Sequence, residues 1–264
     1  MEHITSRQNA LMTHIRKLNA SRAYRRASGE YLCDGVKLLE EALRWNAPLK
    51  TVVLSEGVDV PVLPSGVRAV QVPADVMRSI SPMETPQGAL FTVRLPDTAL
   101  PETLSGAHYL VLDGVQDPGN LGTIVRLADW FGITDIVCSE ASADCFNPKV
   151  VQATMGAILR VRVHYTDLGG FLRQAADAGL PVCGTFLEGE NIYGASLPEA
   201  GIVVMGNEGR GISDAAAATV TRKLFIPPYP AGRRGSESLN VAMATGIVCA
   251  EFRRQASTTG TGQA

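Results

Sequence analysis

Histidine is scarce in this chain, and cysteine is present without order. The four histidines, His3, His14, His108 and His164, lie far apart and outside every glycine-rich loop. Histidine acid–base catalysis, a Ser-His-Asp triad and a histidine metal site all lose weight on that ground. The five cysteines, Cys33, Cys138, Cys145, Cys183 and Cys249, are odd in number, scattered and without a C-x-x-C pair. They argue against a disulfide framework or a zinc site and for a reducing, cytoplasmic setting, with most of them expected as small buried apolar residues. No apolar run is long enough for a membrane helix, and the N-terminus lacks a signal-peptide core. Neither the dinucleotide fingerprint G-x-G-x-x-G nor a phosphate-loop Gly-Lys-Ser/Thr occurs. A formal net charge of −2 gives no overall pull toward nucleic acid or membrane, so any nucleic-acid site must be a local basic patch.

What is there suffices for one large or two ordinary domains in 264 residues, with ordinary apolar and charged fractions. Residues 1–28 hold Arg7, Arg16, Lys17, Arg22, Arg25 and Arg26 against a single acid, Glu2. Leu11, Ile15 and Leu18 mark the apolar stripe of a helix, leaving the cations on its other faces and in the loop that follows. A charge run is commonly a solvated face, but the excess of one sign favours contacts to phosphates.

Asp34 is placed to cap a helix over 35–45, with Leu38, Leu39, Ala42 and Leu43 inward. Strands are expected at 49–54, 67–72 and 88–95, and a short helix at 73–80. The Pro- and Gly-bearing stretch 96–107 separates this first unit, 1–96, from a second, 108–255. There, strands at 109–112, 133–138, 161–164, 180–186, 201–205 and 221–225 alternate with helices, which implies a parallel sheet covered on both faces. Asn120 can cap the first of those helices. Asn147 and Pro148 open another that runs to 159, with Gly156 allowing close packing. Ser238 caps a final helix ending near Arg254, and the small polar tail after Gln255 is expected to be disordered.

Three loops follow strands of the second unit: 113–120, with Arg126 further along the helix; 206–211, Gly-Asn-Glu-Gly-Arg-Gly; and 226–240. At one edge of a parallel sheet they would converge on one cleft. Glycines 206, 209 and 211 would let a ligand touch backbone amides. Glu208 is either exposed or paired with a cation such as Arg126.

Asn120 with Arg126 six places on, MGNEGRGIS at 205–213, and IPP…SESLNVAMATG at 226–246 closely resemble, in order, the three motifs of the SpoU (TrmH-like) RNA 2′-O-methyltransferases of the SPOUT superfamily. The first unit, through ITSRQNALMTHIRKL and CDGVKLLEEAL, is similar to that family's small α/β RNA substrate-binding module. The resemblance implies a C-terminal SPOUT parallel-sheet domain tied in a deep trefoil knot, against the general rarity of knots. It also implies a cytoplasmic homodimer that transfers a methyl group from S-adenosylmethionine to a ribose 2′-hydroxyl, without a metal. Carried over by motif, Asn120, Arg126, Glu208, Ser238 and Asn240 are the catalytic group, and Met205, Gly206, Ile226, Leu239 and Thr185 hold the cofactor. Arg7, Arg16, Arg22, Arg25 and Arg26 would bring the RNA, ribosomal or transfer. The third loop looks longer than the family's usual link, either as a surface bulge or so that Arg233 and Arg234 reach RNA. The alternatives are a non-catalytic RNA-binding protein on the same scaffold and a nucleotide- or NAD-dependent enzyme on an open α/β sheet.

Overall fold

The structure is a computed structural model and describes residues 1–101, 104, 108–230 and 238–259. In chain order its elements are β1 (Glu2–His3), α1 (Ala10–Ala20), α2 (Arg22–Ser28), β2 (Glu30–Asp34), α3 (Val36–Arg44), β3 (Leu49–Ser55), β4 (Arg68–Val72), α4 (Ala74–Ile80) and β5 (Ala89–Arg94). There follow β6 (His108–Leu112), α5 (Pro118–Trp130), β7 (Asp135–Ser139), α6 (Pro148–Ala153), β8 (Arg162–Thr166), α7 (Leu168–Asp177), β9 (Val182–Asn191), β10 (Gly201–Met205), α8 (Asp214–Ala217), β11 (Arg222–Phe225) and α9 (Val241–Thr259). They fall into two compact units, Met1–Asp97 with Asp144–Leu159, and Thr98–Ala143 with Arg160 onward.

The first unit is a mixed sheet in the order β1-β4-β3-β5-β2. One face takes the apolar stripe of α1 (Leu11, Met12, Ile15, Leu18) and α4 (Val76, Met77, Ile80) onto Leu32, Val53, Val70, Val72 and Leu90. β1, β2 and α2 were not expected. The stretch around α2 was expected to be loop, but Ser21 caps it by accepting from the Tyr24 N–H and Gly29 closes it at φ 68°. Asp34 does not cap α3, whose cap is Gly35 without a side-chain bond. Its buried carboxylate accepts the Ser81 hydroxyl instead.

Residues 144–159 belong to this first unit although they lie between two strands of the second. Asn147 caps α6 onto the Lys149 N–H, as its sequence suggested, but the helix stops at Ala153 rather than 159. Met155 at φ 50° and Gly156 at φ 91° break it before a 3-10 turn at Ala157–Leu159. Gly156 does pack closely: a Cβ there would lie 2.5 Å from the Glu41 carboxylate.

The second unit is a six-stranded sheet in the order β11-β9-β10-β6-β7-β8, and every neighbouring pair in it is parallel. β6 and β10 are buried along their whole length, as expected of strands covered on both faces. The register of β11 on β9 slips between Lys223 and Leu224. α9 packs against α5 and runs to Thr259, past the point where disorder was expected. Parallel strands bring the three loops of interest, which follow β6, β10 and β11, to one sheet edge.

Candidate functional site

The first loop leaves the carboxyl end of β6. Asp117, not Asn120, is the helix cap: its Oδ1 accepts the Asn120 N–H at 2.7 Å, and Pro118 fills the first turn. Asn120 therefore sits one turn inside α5 with its amide side chain free to bond across the site. Arg126 is exposed on the same helix. Among the described residues no hydrogen bond or ion pair holds its guanidinium, so it can take an incoming anion.

The second loop leaves β10. Asn207 and Gly211 exchange backbone hydrogen bonds of 3.0 and 2.9 Å, so the chain doubles back at once. A Cβ on Gly206 would stand 2.3 Å from the Gly211 carbonyl carbon, and Gly211 has φ 73°. These two glycines are required by the tightness of the turn itself, whatever a ligand also gains from their bare backbone. Glu208 rides the exposed tip.

The third loop ends on Asn240, whose Oδ1 accepts the N–H groups of Ala242 and Met243 at 3.0 and 3.2 Å. Asn240 is thus the cap of α9, the role expected of Ser238. Ser238 and Leu239 precede it, exposed, the leucine by 50%. Arg233 and Arg234 lie outside the described residues.

The three loops meet. Asn240 Nδ2 donates to Asn120 Oδ1 at 2.9 Å, and Asn120 Nδ2 donates to Glu208 Oε1 at 2.7 Å. The carboxylate fixes the direction of the whole chain of bonds, because turning the Asn120 amide over would set oxygen against oxygen. Glu208 is exposed, and its described partner is Asn120 rather than Arg126.

The expected cofactor residues on the sheet lie on or just past the neighbouring strands β9, β10 and β11. Thr185, on β9, donates its hydroxyl to the Val204 carbonyl at 3.3 Å and lies 3.7 Å from the Met205 sulfur. Met205 is buried, and its carbonyl takes the Asp113 N–H at 2.9 Å. Ile226, just past β11, is half-buried. Burial pushes the Cys183 thiol on β9 up to about 11 and the Cys249 thiol on α9 up to about 12, which disfavours their thiolate forms. Among the described residues no cluster of His, Cys, Asp and Glu could hold a metal ion.

In the first unit Arg7 and Arg26 are exposed, and Arg16 and Arg22 are half-buried. Arg7 pairs with Asp75 at 2.8 Å, and Arg16 donates to the Arg7 carbonyl at 2.7 Å. Arg25 departs from the expected surface patch. It is 3% exposed, donates to the Leu18 carbonyl and pairs with Asp144 at 2.6 Å.

Asn207 and Asp113 were not singled out from the sequence, yet they join the first two loops. Asn207 Nδ2 donates to the Gly114 carbonyl at 2.7 Å, and Asp113 Oδ2 accepts the Ser213 N–H at 2.8 Å. A polar residue directly beside a glycine that a tight turn requires was the available signal.

Known proteins resemble this chain in sequence and in fold. The family model of the SpoU rRNA methylases matches residues 107–250, and that of MRM3-like substrate binding domains matches residues 9–90. The chain is 30% identical over 256 residues, 96% of its length and 100% of the relative's, to the 23S rRNA (guanosine(2553)-2′-O)-methyltransferase RlmP of Bacillus subtilis. Its fold is similar to a TrmH-family protein from Porphyromonas gingivalis, with a TM-score of 0.82 and 40% identity across 95% of this chain and 100% of that one. It is also similar to the AdoMet-bound rRNA methyltransferase of Sinorhizobium meliloti, with a TM-score of 0.83 and 29% identity across 96% and 97%.

Proposed function

The chain belongs to the SpoU rRNA methylase family, and we propose that it transfers a methyl group from S-adenosylmethionine to a ribose 2′-hydroxyl of RNA, ribosomal in preference to transfer RNA. The observation that carries this reading is the hydrogen-bonded run Asn240–Asn120–Glu208, centred on the helix that also bears Arg126, whose guanidinium has no partner among the described residues. Bound S-adenosylmethionine supplies an electrophilic methyl carbon on its sulfonium. The residues present fit that cofactor: Thr185, Met205, Gly206 and Ile226 lie on or just past three neighbouring strands, and Leu239 offers exposed apolar surface just before α9. Gly206 would serve through its backbone groups, since no Cβ fits there.

The difficulty of the reaction lies in the nucleophile, because a ribose hydroxyl is almost fully protonated at neutral pH. A guanidinium keeps its own protons, so Arg126 is an electrostatic group here rather than a base. Its Nη donors would hold the 2′-oxygen and the neighbouring phosphate and stabilise negative charge on that oxygen, whose proton would pass to solvent water as the oxygen takes the methyl group. Asn120 and Glu208 present hydrogen-bonding groups beside it, and Asn240 and Ser238 shape the third loop. Replacing Arg126→Ala is expected to lower kcat at least a hundredfold while cofactor affinity changes less than about threefold. Mass-spectrometric mapping of 2′-O-methyl marks, with calorimetric titration of the cofactor, checks both. Equal loss of activity and cofactor affinity would instead give Arg126 a structural role.

Residues 1–96 are proposed as the RNA substrate-binding domain and 108–255 as the catalytic domain. Support for the first is the exposed Arg7 and Arg26 with the half-buried Arg16 and Arg22. The trefoil knot is proposed for the second: the chain comes back after β11 to set α9 against α5, with Asn240 on Asn120. A homodimer through α5 and α9 is supported by Trp130 and Met243, 83% and 67% exposed on those helices. No described helix is long and apolar enough to cross a membrane, and a cytoplasmic location accords with an RNA substrate.

A further inference from the structure

Glu208 reaches Asn120 from a turn that is fastened to the first loop at both ends. At the far end the Ser213 N–H donates to Asp113 Oδ2 at 2.8 Å, and at the near end the Asp113 N–H donates to the Met205 carbonyl at 2.9 Å. Besides that bond and the backbone pair between Asn207 and Gly211, the near end is tied by one side chain. Asn207 Oδ1 accepts the N–H groups of Gly209 and Arg210 at 2.9 and 3.0 Å, and Asn207 Nδ2 donates to the Gly114 carbonyl at 2.7 Å. The first pair of bonds closes the turn over Glu208, and the third pins that turn to the loop that leads into Asn120.

We propose that Asn207 is a positioning residue for methyl transfer: its amide fixes the turn that presents Glu208 to Asn120. The inference rests on the methyltransferase reading above. The demand is specific for an amide of this length. Aspartate would keep the acceptor for two backbone N–H groups but lose the donor, and it would set a carboxylate against the Gly114 carbonyl. Alanine would lose all three bonds.

The test uses the full chain with ribosomal RNA and S-adenosylmethionine. It compares Asn207→Ala and Asn207→Asp, each alone and combined with Glu208→Ala. Kcat, both KM values, cofactor affinity and the melting midpoint are measured. Both single variants are expected to lose about tenfold or more in kcat, with each KM and the cofactor affinity within about threefold of the parent. In the Glu208→Ala background, adding Asn207→Ala should cost less than about twofold, because the group it positions is gone. A merely structural residue would instead lower activity by the same factor in both backgrounds, and that result overturns the proposal. Full kcat in Asn207→Asp overturns it as well, and this variant keeps the turn-closing acceptor should Asn207→Ala fail to fold. A parent protein that binds no cofactor and makes no 2′-O-methyl mark overturns the methyltransferase reading together with the proposal. An active parent with unaffected variants overturns the proposal alone.

Discussion

Arg25 and Arg26 are neighbours in sequence with opposite surroundings. Arg26 is exposed, whereas Arg25 is buried and locked to Asp144, itself nearly buried. Removing one partner of such a pair strands the other charge, at a cost of about 3–5 kcal/mol. Arg25→Ala should therefore lower the denaturant midpoint by that much stability, and joint replacement of Arg25 and Asp144 by apolar residues of similar size should recover most of it. A charge tally over residues 1–28 could not separate the two arginines, because it registers sign and not the side of the helix. The motif residues fared differently. Asn120, Glu208 and Asn240 were legible because they stand in patterned loops, while the bonds among them span 88 and 120 positions and leave no local trace. Asn207 stands inside the 205–213 motif without a role legible there, since nothing in the sequence shows where an amide points.

Among elements, the pairing of β7 with β8 carries a pH dependence. Burial works to raise the Asp135 carboxyl, but hydrogen bonds from Arg162, His164 and Thr134 outweigh it and hold the group at about 2. A folded-state value below the unfolded 3.8 means stability that is whole above about pH 4 and lost as pH falls toward 2. The amount is roughly 2 kcal/mol. Urea denaturation across that window should show this loss in the parent and not in Asp135→Asn. β2 explains why some elements were missed. Glu30–Asp34 is buried at every position and is packed by α1, α3 and α6, so it lacks the alternation that marks a half-exposed strand. Caps were misjudged within three residues, at Asn120 for Asp117 and at Ser238 for Asn240, because several polar residues in a row could each serve.

For the whole molecule, the alternation of strands and helices announced a parallel sheet, and the sheet is parallel throughout the second unit. Strand order was not legible: nothing local says that β10 lies between β9 and β6, or that residues 144–159 join the first unit. The division of labour proposed for the two units has a measurable consequence. If Arg7 and Arg26 each meet an RNA phosphate, replacing both by alanine should reduce the slope of log affinity against log salt by roughly 1.4 to 1.8. Filter binding at several salt concentrations checks this, and an unchanged slope would move the RNA surface elsewhere. The order of strands also bears on how the protein is made. β6 is paired on one side by β7, which follows it closely, and on the other by β10, whose residues 201–205 are synthesised some ninety positions later. Until that stretch has left the ribosome, one flank of the first-made strand has no native partner, and whatever shields it meanwhile must let go.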